Sequence, residues 1–193
     1  MRSVTVGLVL LVSVARGDSR GAPANKAAAW VEMSVEDVFQ VEGGGSHIVV
    51  LRARDDGRLL PIGIGEAEAL AISLRLAKQH PPRPLTHDLL ERMLALTGGQ
   101  VVKIHIIDLR ESTFIGRVFL RWGGRTLDID ARPSDSIALA LGARAPIFAA
   151  RKVLDQAGVE PNPEDGDEGA PPSPPSMQDL LRRARQRDKG TSI

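Results

Sequence analysis

The chain alternates between two kinds of hydrophobic spacing. In WVEMSVEDVFQV (30–41) apolar residues recur at every second position around Val31, Met33 and Val35, which predicts a strand with a bend. HIVVLRAR (47–54) predicts a second strand, set off by the glycine triplet 43–45 before it and Asp55-Asp56-Gly57 after it. LLPIGIG (59–65) predicts a third. The spacing then changes. EAEALAISLRLAKQ (66–79) predicts a helix apolar almost all round and therefore buried, stopped by Pro81, Pro82 and Pro84. PLTHDLLERMLALTGG predicts another, with Thr86 as N-cap, Leu85 and Leu90 as a hydrophobic staple, and Gly98 or Gly99 at its end.

Period two returns in 100–110 and 113–122, and RTLDID (125–130) follows a Gly-Gly turn, so these three strands read as a meander. A helix from Pro133 to Leu141, a short strand at 146–148 and a short helix at 151–157 complete the pattern. Strands outnumber helices, and the helices are grouped. This predicts an α+β fold, a single domain with a mixed, largely antiparallel sheet and three to four helices packed on it.

Both ends depart from this pattern. Residues 4–15 form an apolar run of 12 after Arg2, with A-x-A-like sites ending at Ala15 and Ala24. That is the length of a signal h-region and too short to span a bilayer. A buried strand, or a start codon placed too far upstream, would give the same run. We expect residues 1–24 to be a signal peptide, leaving a periplasmic or secreted protein with no integral membrane segment. Mass spectrometry of the native protein should find the first 15 to 24 residues removed; an intact N-terminus in the cytoplasmic fraction would refute export. Residues 160–176 hold five acids, six prolines and no base, which predicts a disordered linker after a domain spanning 25–159. Residues 177–193 predict a basic amphipathic tail that is solvated, or that binds acidic surfaces or the domain's own sheet.

Composition narrows the chemistry. The absence of cysteine excludes disulfides, thiolate metal sites and a cysteine nucleophile. A net charge of +1 does not announce a nucleic-acid binder, and four Phe, two Trp and no Tyr argue against a base-stacking platform.

The densest polar cluster is DIDARPSDSIALAL (128–141). Asp128 and Asp130 share one face of a strand, and Asp135 starts the next helix. The corner can thus bring three carboxylates within a few Å. Such a set suits Mg²⁺, Mn²⁺ or Ca²⁺. Arg132 adds a fork for phosphate, and the helix start adds free N–H groups. The same residues have a structural explanation: Asp135 caps its helix, Arg132 pairs with Asp130, and Pro133 is a good first helical residue. A second cluster is Thr86, His87 and Asp88, where His87 is a candidate base or ligand, or else lies at the surface beside a cap. His47, His80 and His105 carry no signal of their own, and His105 is expected to point outward. Gly63 and Gly65 before Glu66 and Glu68 are a weak phosphate signal.

In order, LLPIGIGEAEALAI, RPLTHDLLERML, STFIGRVFLRW, DIDARPSDSIALAL and APIFAARKVLDQAG resemble the bifunctional nuclease (DNase/RNase) domain family over roughly residues 31–158. PLTHDLL and DARPSDSIALAL carry most of the likeness. The resemblance implies an α+β nuclease, a hydrolase cleaving phosphodiester bonds of DNA and RNA, with nucleic acid as partner and self-association as a homo-oligomer. Its motif positions are Glu66, Glu68, Thr86, His87, Asp88, Asp130, Arg132, Ser134 and Asp135. We take Asp130, Asp135, His87, Asp88 and Glu66 as the catalytic candidates, Arg132, Ser134 and Thr86 as substrate-binding, and Asp128, Asp130 and Asp135 as ligands for Mg²⁺ or Mn²⁺. Gly63 stands where the family has a larger residue, and Ser136 where it has alanine. The alternative is a non-catalytic module that binds a ligand or partner at the same corner.

Overall fold

Strand alternation builds a sheet with two unlike faces. In the computed structural model, which describes residues 29–41 and 46–161, the strands are β1 (Trp30–Gln40), β2 (His47–Ala53), β3 (Leu59–Ile64), β4 (Gln100–Arg110), β5 (Thr113–Trp122), β6 (Arg125–Ala131) and β7 (Ile147–Ala150). The helices are α1 (Glu66–Leu76), α2 (Thr86–Leu96), α3 (Pro133–Ala143) and α4 (Arg151–Ala157). The expected leader, most of the acidic linker and the basic tail lie outside the described residues.

The seven strands form one sheet in the order β3-β2-β1-β7-β4-β5-β6. Two antiparallel meanders flank β7, which runs antiparallel to β1 and parallel to β4. The sheet is therefore mixed and mostly antiparallel, and with four helices the domain is α+β, as expected from the sequence. The bend foreseen in the first strand is a register shift between Val35 and Asp37.

One face carries Val31, Met33, Ile104, Ile106, Val118, Leu120, Ile147 and Ala149, which pack with Ile72 of α1 and Ile137 and Ala140 of α3. Both α1 and α2 touch α3, so these three helices share that face. Full burial of such side chains contributes about 1.5–3 kcal/mol each. Residues between them in sequence, including Trp30, His105, Phe119 and Phe148, turn to the other face. The apolar all-round reading of α1 holds only in part: Ala69, Ala71 and Ile72 are buried, while Leu70 is exposed.

Two expected helix caps are corrected. Leu85, not Thr86, is the N-cap of α2; the Leu85 N–H donates to the Asp88 carboxylate at 2.8 Å, and Leu90 is exposed rather than stapled. Arg132 is the N-cap of α3, with Pro133 at the first helical position, and the Asp135 side chain makes no cap bond there. Asp135 is turned to other partners instead.

The β6–α3 corner is tight. A Cβ on Gly116 of β5 would lie 2.8 Å from the Ala131 carbonyl oxygen, 3.0 Å from Ser136 Oγ and 3.1 Å from Pro133 N. Two of these atoms are backbone and cannot rotate away. Gly116→Ala should cost about 1–3 kcal/mol, roughly 3–5 °C of thermal midpoint per kcal/mol at this size. An unchanged midpoint would show that the corner yields more readily than its packing implies.

Candidate functional site

The first turns of α1, α2 and α3 converge on one another, and each brings a polar side chain. Glu68 comes from α1, His87 from α2 and Asp135 from α3. Arg132 joins them: its Nη2 donates to Glu68 Oε1 at 2.5 Å and to Asp135 Oδ1 at 3.1 Å, and its Nε donates to Asp135 Oδ2 at 2.8 Å. His87 Nε2 lies 3.0 Å from Asp135 Oδ1. The result is a continuous chain, Glu68–Arg132–Asp135–His87. His87 is 9% exposed, contrary to a surface position, whereas the Arg132 side chain is 66% exposed.

Burial of Asp135 pushes its carboxyl up, but hydrogen bonds from Arg132 and His87 outweigh this and hold it below the usual carboxylate range. It is therefore ionised at neutral pH. In the neutral ring an ionised carboxylate fixes the proton on Nε2, which leaves Nδ1 of His87 as the basic nitrogen. Asp135 and, next, Glu68 accept hydrogen bonds from the Arg132 guanidinium and hold it firmly charged.

Beside this chain opens a cleft of about 460 Å³. Its walls include His47 at the start of β2, Gly63 and Gly65 before α1, Ser112 and Thr113 at the β4–β5 turn, and Arg132 and Ser134. Ser134 is buried and borders the cleft. Glu111 and Ser112 both adopt positive φ, 47° and 64°. Neither is glycine, so the turn that forms this wall holds backbone strain, a cost commonly found at binding sites. The absence of a side chain at Gly63 leaves open space at the cleft wall.

The expected carboxylate trio does not assemble. Asp128 and Asp130 lie 3.8 and 3.7 Å from Arg117 of β5, on the sheet face opposite α3. Asp130 is 76% exposed at its side chain. Arg132 pairs with Glu68 and Asp135, not with Asp130. Among the described residues no group of three His, Asp or Glu side chains could hold a metal ion. Residues Asp128, Asp130 and Asp135 thus do not fit the Mg²⁺ or Mn²⁺ site foreseen for them.

The other candidates divide. Asp88 accepts the Leu85 N–H and an ion pair from Arg75 at 2.8 Å, and Arg75 also binds Glu91 at 2.8 Å. Asp88 therefore fixes the start of α2, and with it His87. Thr86 and Glu66 are exposed in the first turns of their helices. Sequence reasoning gave Glu68 no role beyond its motif position, and passed over His47 and the Ser112–Thr113 wall. The spacings that join them, 64 residues between Glu68 and Arg132 for example, leave no local signal.

The sequence model of the bifunctional nuclease domain matches residues 49–162, so the chain belongs to the bifunctional nuclease domain family. An uncharacterized protein of Mycobacterium tuberculosis (strain H37Rv) is 42% identical over 123 residues, 64% of this chain and 73% of that protein. Bifunctional nuclease 1 of Oryza sativa subsp. japonica is 27% identical over 126 residues, 62% of this chain and 38% of the rice protein. Bifunctional nuclease 2 of the same rice is 26% identical over 122 residues, again 38% of its length. No helix among the described residues is long and apolar enough to cross a membrane.

Proposed function

We propose that the domain hydrolyses phosphodiester bonds of DNA and RNA at the cleft beside α3. The observation that carries this reading is the Asp135–His87 pair, tied through Arg132 to a cleft that Arg132 itself lines together with Pro133 and Ser134 at the start of α3. Membership of the nuclease family supports the reaction class. In the proposed step His87 Nδ1 takes a proton from water, and the water oxygen attacks phosphorus. The P–O bond to the leaving oxygen breaks, that oxygen takes up a proton from solvent, and the products are a phosphomonoester and an alcohol. Asp135 stabilises the imidazolium that forms. The exposed edge of Arg132 and the free N–H groups at the helix start face the charge on phosphate. Asp128 and Asp130 stand apart from Asp135, so these three residues hold no Mg²⁺ or Mn²⁺ for the step.

A second reading is a non-catalytic module. It is favoured by one observation: Arg132 is already engaged by two carboxylates, which reduces its charge toward phosphate. The deciding experiment is digestion of plasmid DNA and total RNA, with and without a chelator, by wild-type and His87→Ala protein from the same nuclease-deficient host. Cleavage present in wild type and absent in the variant supports the nuclease, and the chelator arm reports any cation requirement. Equal cleavage by both proteins would remove His87 from the reaction, and no cleavage by either would leave the binding module. Self-association remains part of the proposal, with the exposed Leu89, Met93 and Leu96 along α2 as its natural surface; light scattering on the purified chain tests it.

A further inference from the structure

The face of the sheet away from α1, α2 and α3 carries an aromatic cluster that the proposed reaction does not use. Trp30 of β1 and His105 of β4 have ring centroids 4.1 Å apart, His105 and Phe119 of β5 are 4.7 Å apart, and Phe148 of β7 meets His105 edge-on at 5.5 Å. Lys103 Nζ sits 4.9 Å from the centre of the Phe119 ring. Aromatic residues are few in this chain, yet three of the six are gathered here. One face of Trp30 is covered by His105, but the residue is 40% exposed, so ring surface remains open to solvent.

We propose that this face binds single-stranded nucleic acid, with a base stacked on Trp30 and backbone phosphates drawn to Lys103 and Arg121. The identity of the ligand rests on the nuclease reading. Three observations favour a nucleic-acid strand over other occupants. Base–aromatic stacking accepts any base, which suits a domain acting on both DNA and RNA. Lys103 and Arg121 have no carboxylate partner among the described residues; Arg121 meets only the Gln100 amide. Asp128 and Asp130 on this face both lie beside Arg117, and Glu32, on the same face of β1, is paired with Arg54 at 3.3 Å, so these acids are offset by neighbouring cations. The face is also continuous with the cleft along β5, whose Thr113 borders the cleft and whose Phe119 belongs to the cluster. Six residues of strand span about 20 Å, a distance that a short single strand covers.

The test uses the full chain with Trp122→Phe, so that Trp30 alone reports by fluorescence. The ligands are phosphorothioate oligonucleotides of about 12 residues, oligo-dT and oligo-U, and a duplex of the same length. Single strands should quench Trp30 and the duplex should not, because its bases are already stacked. Measured by anisotropy with labelled oligonucleotide, Trp30→Ala should weaken single-strand binding roughly 10-fold or more, and Trp30→Phe should restore most of it. Lys103→Ala should lower the salt slope of binding by about one. Quenching without cleavage would support this site while ending the nuclease reading. Unchanged affinity in Trp30→Ala, with cleavage intact, would overturn this site alone. Equal quenching by duplex would overturn it, and so would a wild-type dimer that Trp30→Ala dissociates, since a second copy would then cover the face.

Discussion

Asp135→Asn should lose about 10²–10⁴-fold in cleavage rate, the range a positioned acid–base group supplies, while Asp130→Asn should cleave like wild type. Both residues belong to one short motif, but they face opposite sides of the sheet. Asp135 carries the charge that opposes the imidazolium of His87 and fixes its proton on Nε2. An amide there keeps a hydrogen bond and removes the charge. Asp130 is largely exposed beside Arg117, 3.7 Å away, and bonds neither His87 nor Arg132, whereas Asp135 bonds both. The fold should report little in either case. Arg132 would still hold Glu68, and ion pairs this exposed contribute ~0–1 kcal/mol. Rates and thermal midpoints of the two variants settle the matter together. If Asp135→Asn cleaves at the wild-type rate, the dyad is not the catalytic group. If its rate falls only as far as its midpoint predicts, the chain from Glu68 to His87 is a structural lock.

The trio failed for a reason already present in the alternation. Asp128 and Asp130 share a strand face, as their spacing requires, but β6 places that face away from the helices. The chain must turn through Ala131 and Arg132 to reach the other side before α3 begins, so Asp135 is carried away from the two acids. Opposite them across the strand pair stands Arg117, which no reading of DIDARPSD alone could supply. Elements were legible because each depends on its own period, and strands β1 to β6 match the alternation to within a residue or two. The sheet order was not legible. β7 is four residues long, and its place between β1 and β4 depends on partners more than 40 residues away. The same distance hid the site: His87 and Asp135 are 48 residues apart and meet because α2 packs on α3. Aromatic count says nothing of placement, for a related reason. Few aromatics argue against a stacking surface only if they are scattered, and strand pairing collects three of them around His105.

That histidine should make the domain acid-sensitive. It was expected to point outward, and it does leave the main core, but the surrounding rings bury it to 6% exposure. Burial, with Lys103 nearby and only partly offset by Asp128, lowers its pKa from 6.5 to about 4. Above pH 6.5 the ring is neutral in both folded and unfolded chains, and its contribution is constant. Between pH 6.5 and about 4 the unfolded chain takes up a proton that the folded chain refuses, so stability falls as pH falls. Below about 4 both states are protonated and the slope ends. At 1.36 kcal/mol per unit of pKa, the loss across this window is ~3 kcal/mol. Carboxylates such as Asp135 titrate lower, because its folded pKa lies below 3.8. Its contribution is therefore present above that value and disappears only in stronger acid. His105→Phe keeps an aromatic ring among Trp30, Phe119 and Phe148 and removes the titration. Urea unfolding at several pH values between 7 and 4 should show wild type losing ~3 kcal/mol more than His105→Phe. Parallel curves for the two proteins would mean that His105 accepts its proton in the folded state, and that the ring cluster opens to water far more readily than its packing implies.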